Sequence, residues 1–172
     1  MTAWPSRRAL GLLALSSGLA AGAYLVFGNS DERRVLEVLR ELAAAVSAQR
    51  GDTERIRARR IGAALEQRTA EALRLSIPEI GDVEGRDEVG ELLIGAGALP
   101  LELSIEASTV QVDTARGRAR AALTLTAVLR YPGEERRDTR AASVDLTRTP
   151  AGFRVERIQV EEKSRIEPEA RP

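Results

Sequence analysis

LELSIEASTVQVDTARGRARAALTLTAVLRYPGEERRDTRAASVDLTRTPAGFRVERIQV, residues 101–160, decides the fold. Leu101, Leu103 and Ile105 alternate with polar neighbours, and after Ser108 and Thr109 the phase slips to Val110 and Val112, as a bulge produces. Ala119, Ala121, Leu123, Leu125, Ala127, Leu129 and Tyr131 then share one face, with Arg118, Arg120, Thr124, Thr126 and Arg130 on the other. Tyr131-Pro132-Gly133-Glu134 is a turn, and Ala142, Val144 and Leu146 alternate in the next strand. Pro150-Ala151-Gly152 closes a hairpin into Phe153, Val155, Ile158 and Val160. Period two maintained over such a length predicts four long antiparallel strands.

Upstream the period is helical. Val35, Val38, Leu39, Leu42 and Val46 lie on one face of a helix over 31–49, with Asp31 and Glu32 complementing its dipole in the first turn. Gly51-Asp52-Thr53 breaks the chain and starts a second helix to about Gln67, with Ile56, Ala63, Ala64 and Leu65 expected inward. Arg55, Arg57, Arg59 and Arg60 crowd that helix and read as a solvated face. Residues 71–77 alternate as a short strand ended by Pro78, and a turn-rich stretch follows through Gly81 and Gly85. Arg86 opens a short third helix with Val89, Leu92 and Leu93 inward, stopped by Gly95-Ala96-Gly97-Ala98. Helices grouped first and strands after define an α+β domain with helices packed on one face of a curved antiparallel sheet.

The 172 residues carry 26 basic and 26 acidic side chains, so the net charge is zero. That balance argues against nucleic acid as a partner, because neutralising phosphates needs a cationic surplus. Cysteine and histidine are absent, which removes disulfides, thiol nucleophiles, Ser-His triads and ordinary zinc sites. No cofactor or metal is expected. Every basic residue but Lys163 is arginine, and with the abundant alanine this fits a GC-rich bacterial genome.

Ahead of the domain, residues 9–28 (ALGLLALSSGLAAGAYLVFG) contain no charge. Twenty helical residues at ~1.5 Å rise span the hydrocarbon core of a bilayer. Trp4 and Tyr24 flank the segment as interfacial rings do, and Ala14, Gly18 and Gly22 form a small-residue stripe. Two readings compete. A cleaved signal peptide would use Ala21-Gly22-Ala23 as its cleavage site, whereas the apolar run continues through Phe27 and favours a retained anchor. The division is then a cytoplasmic N-terminus over 1–8, a transmembrane anchor over 9–28, a folded domain over 31–163 and a disordered tail over 164–172. Arg7 and Arg8 hold the short N-terminus inside, which places a single-pass protein in the inner membrane with its C-terminal domain outside the cytoplasm.

The element order resembles the nuclear transport factor 2-like (NTF2-like) superfamily, a cone-shaped α+β fold that includes SnoaL-like proteins. The carriers are the helix pair, the Gly85-Arg86-Asp87-Glu88-Val89 start of the third helix, and the last hairpin, where Phe153 follows the glycine. The resemblance implies an apolar pocket, with Leu103, Ile105, Leu123, Leu125, Tyr131 and Phe153 as its expected lining. Enzymes of the superfamily, isomerases and dehydratases, place an acid, histidine or tyrosine in that pocket. Here Asp145, Glu102 and Glu106 alternate away from the apolar face, so the expectation is a non-catalytic binding or scaffold module. Its expected partners are the lipid bilayer and a small apolar ligand. A homodimer, or an envelope protein as for similar domains of type IV secretion systems and Mce-associated proteins, is a further expectation.

Overall fold

In the computed structural model the described residues are 30–96, 100–131 and 134–162. The anchor over 9–28 and the tail over 164–172 lie outside them, as do Pro132, Gly133 and residues 97–99. Among the described residues no helix is long and apolar enough to cross a membrane.

Among the described residues three helices precede or interrupt the strands: α1 (Ser30–Val46), α2 (Glu54–Arg68) and α3 (Arg86–Ala96). The strands are β1 (Thr69–Ile77), β2 (Gly81–Glu84), β3 (Leu101–Asp113), β4 (Arg118–Tyr131), β5 (Glu134–Thr149) and β6 (Gly152–Val160). They form one open sheet in the order β2-β1-β6-β5-β4-β3. Adjacent strands run antiparallel except β1 and β6, which are parallel, so the expected purely antiparallel sheet becomes a mixed one. The reason is topological: β1 is separated from β6 by the whole β2–β5 excursion and returns beside it as a crossover. The stretch read as turn-rich contains β2, which pairs Val83 with Leu75. The register slip expected near Ser108 occurs between Ala107 and Thr109.

All three helices cover one face. Val35, Val38 and Leu39 of α1, Ile61 and Leu65 of α2 and Val89 of α3 are buried against Leu73, Leu123, Val144, Leu146 and Val155 of the sheet. The inward face of α2 departs from expectation. Ile56 is 53 % exposed, and the buried stripe is Arg57, Ile61 and Leu65, spaced by four. Thr53 caps this helix through a bond from the Ile56 amide to its hydroxyl. At the last hairpin Gly152 holds φ at 118°, a conformation that L side chains rarely adopt.

The arginines of α2 are not all a solvated face. Arg57 is buried, and its Nε and Nη2 both donate to the carbonyl of Val46, Nε at 3.0 Å. Arg60 donates to the carbonyls of Ala45 and Ser47 and pairs with Asp52 at 2.7 Å. Carbonyls at the end of α1 have no partner within their own helix, and two guanidinium forks from α2 supply one. Arg55 and Arg59 remain exposed.

Candidate apolar binding site

Between the helices and the sheet lies a cavity of about 260 Å³. Leu39, Leu42, Ala43 and Val46 form its α1 wall, and Ile61, Leu65, Val89 and Leu93 contribute from α2 and α3. The sheet supplies Leu73, Leu75, Ile77, Leu101, Leu103, Ile105, Leu123, Leu125, Val144, Ile158 and Val160. One lining side chain is polar, Thr69, and its hydroxyl donates to the Leu65 carbonyl at 2.7 Å. The wall therefore offers a guest dispersion contacts and shelter from water, with no charged side chain in the lining. Dry apolar cavities of ~150 Å³ take up benzene, so this volume suits a larger aliphatic or aromatic group.

Four of the six residues expected at a pocket, Leu103, Ile105, Leu123 and Leu125, meet here. Phe153 does not. It is buried at the opposite end of the core, where the Arg148 guanidinium stands 5.3 Å from its ring centroid. The Tyr131 side chain lies outside the described residues. The helical half of the wall was not among the expected site residues, although the α1 stripe of Leu39, Leu42 and Val46 carried the signal.

The half-buried lining residues cluster where β3 begins and where β1 and β6 end, so the cavity opens at that end. Its rim is charged. Arg140, cross-strand from Leu125, donates to Glu79 at 2.7 Å and to Asp138 at 2.8 Å. The bond from Arg140 holds the Glu79 carboxyl below the usual range, and the same contact raises the Arg140 guanidinium. This pair joins the β1–β2 turn to β5 beyond the end of β6. Near the far end of α1, the hydrogen bond from Arg60 lowers Asp52 to about 2, and burial lowers Arg57.

The outer face of the sheet carries a larger but open depression of about 660 Å³. Arg74, Arg118, Arg120 and Arg157 line it together with Asp113, Asp145 and Glu156, and Arg120 pairs with Asp145 at 2.9 Å. Asp145 thus points away from the apolar cavity, as alternation requires. Among the described residues no cluster of His, Cys, Asp or Glu is arranged to hold a metal ion.

Solved structures share this architecture. An NTF2-like protein with a cystatin-like fold from Novosphingobium aromaticivorans superposes with a TM-score of 0.61 at 19% identity, over 84% of this chain and 87% of that one. An NTF2-like superfamily protein from Salmonella enterica gives 0.60 at 14% identity, over 84% and 99%. A protein with a cystatin-like fold from Nostoc punctiforme gives 0.60 at 12% identity, over 77% and 91%. No family model matches the chain, and no curated protein does. At these identities the likeness establishes the fold, which is the NTF2-like, cystatin-like α+β fold.

Proposed function

We propose that the protein is a non-catalytic, membrane-anchored binding module whose cavity receives a small apolar molecule or the apolar part of a larger one. The observation that carries this reading is the lining: aliphatic throughout, with its one hydroxyl already bonded to the chain. General acid–base chemistry needs an ionisable group within hydrogen-bond reach of the reacting atoms, and the lining contributes none. The uncharged segment over 9–28, following Arg7 and Arg8, supports the anchor and the export of the domain into the envelope.

Fluorescence of an apolar probe such as 1-aminoanthracene, titrated into a fragment beginning at residue 30, tests the binding function. The probe is expected to brighten on binding. Leu103→Trp, which fills the cavity, weakens it by at least ~10-fold, equivalent to about 1.4 kcal/mol. Thr124→Trp, on the outer face, leaves it unchanged. Equal losses in both variants, or no binding by the parent fragment, would sink the proposal.

A further inference from the structure

We propose that the domain stands upright on the bilayer, its hairpin end against anionic lipid headgroups and its cavity mouth turned away; this rests on the anchor reading above. The first step is the length of chain between anchor and fold. The apolar segment ends at Gly28 and α1 begins at Ser30, so Asn29 alone separates them in sequence. The start of α1 must then lie at the membrane surface.

The second step is what that start is fixed to. Asp31 is 6 % exposed and forms ion pairs with Arg148 of β5 and with Arg34, the latter at 3.4 Å. Arg148 in turn lies over Phe153 of β6, and its amide bonds the carbonyl of Gly117. The first turn of α1, the β5–β6 hairpin and the β3–β4 turn are therefore one connected end of the domain. Whatever holds Asp31 at the membrane also presents that end to it.

Charge suits the contact. The three segments that meet at this end, 30–34, 113–118 and 147–154, carry Arg33, Arg34, Arg116, Arg118, Arg148 and Arg154 against Asp31, Glu32 and Asp113, a cationic surplus. A cleft of about 500 Å³ opens here between Arg34, Arg148 and the hairpin, with Glu37 and Arg68, the latter paired with Glu41, on its other wall. Phosphate oxygens suit guanidinium forks, and cationic residues next to a membrane are drawn to anionic lipid.

The cavity mouth lies at the other end. Ala48, just past α1, bonds the carbonyl of Leu101 at the start of β3. With α1 17 residues long, that point is ~25 Å along the helix axis from the membrane-proximal end. A ligand then enters from the aqueous side or from a partner reaching across it, not from the adjoining leaflet.

The chain has no cysteine, so single labelling sites are clean. Full-length Ala151→Cys, in the hairpin, and Thr139→Cys, ten residues up β5 from its end at Thr149 (up to ~33 Å of strand), receive an environment-sensitive fluorophore. Each is reconstituted into vesicles carrying a headgroup-linked quencher, made of phosphatidylcholine alone or with phosphatidylglycerol. Strong quenching at 151 with phosphatidylglycerol, and none above solvent background at 139, is the expected result. Adding Arg148→Gln should erase the difference between the sites. Equal quenching at both positions in the parent overturns the orientation, and equal quenching at 151 in the two lipid mixtures overturns the headgroup contact. A chain that fails to float with either vesicle overturns the anchor reading, and the orientation with it.

Discussion

Arg57→Met isolates the energetic role of a guanidinium buried between two helices. The substitution keeps most of the apolar stem of a residue that is 4 % exposed and removes the head that donates twice to the Val46 carbonyl. Losing bonds from a charged donor and leaving a buried carbonyl unsatisfied costs roughly 1–3 kcal/mol. Against this, the fold disfavours the Arg57 charge, because burial lowers its pKa, so removal relieves part of a desolvation penalty. The net expectation is about 2 kcal/mol of destabilisation, which for a domain of this size moves the melting temperature by roughly 5–10 °C. Thermal unfolding followed by far-UV circular dichroism measures it, with Arg55→Met, an exposed neighbour, as the control within ~0.5 kcal/mol of wild type. If the two variants melt within a degree of each other, the Arg57 cap contributes nothing and Arg57 is equivalent to Arg55 as a surface charge.

Acid unfolding should carry the signature of Asp52. Its folded-state value of about 2 is below its ordinary 3.8, so its contribution is intact above 3.8 and is lost as pH falls toward 2. Asp52→Asn should therefore flatten the acid limb of the stability profile in that window, and an unchanged limb would exclude the Arg60 pair as its source. Gly152→Ala forces φ 118° on an L side chain and should cost ~1–2 kcal/mol in urea titrations, whereas the same change at Gly62, in the middle of α2, should stabilise. The exposed Arg120–Asp145 pair should show a double-mutant coupling below ~1 kcal/mol that fades in salt.

The strand half of the fold was readable because burial on one face writes period two into the sequence. Leu123, Val144 and Val155 are all where alternation puts them, and even the bulge after Ala107 was visible as a phase slip. β2 was not readable, since its four residues hold one apolar side chain, Val83, too short a run to alternate. The parallel pairing of β1 with β6 joins segments about 80 residues apart in sequence, and alternation encodes faces but not neighbours. On α2 the apolar residue Ile56 suggested the wrong stripe. The true one, through Ile61 and Leu65, continues back to Arg57, whose burial depends on carbonyls that another helix delivers. The cavity's sheet wall was legible for the same reason as the strands. Phe153 shares the inward face but lies at the other end of the core, because face alone does not tell at which end a side chain lies.

Those polar contacts explain how an aliphatic core keeps an open space. At roughly 24 cal/mol per Å³, an empty cavity of about 260 Å³ costs up to about 6 kcal/mol against a filled core, an upper bound because the half-buried rim admits water. That is a large share of the ~5–15 kcal/mol by which a domain is stable, so collapse of α1 onto the sheet would be strongly favoured if the helix were free to move. It is not free. Asp31 is tied to Arg148 at one end, and Arg57 and Arg60 hold the last carbonyls at the other. Ser47 also exchanges hydrogen bonds with both the amide and the carbonyl of Leu103 on the sheet edge. Each tie resists a shift because moving α1 strands a buried polar group. A guest that fills the space restores the dispersion contacts that the walls lack, so apolar ligands should raise the melting temperature of the parent domain. They should not do so in Leu103→Trp, whose indole occupies the volume already. A ligand that stabilises both equally would place its site elsewhere and would leave the cavity without a role.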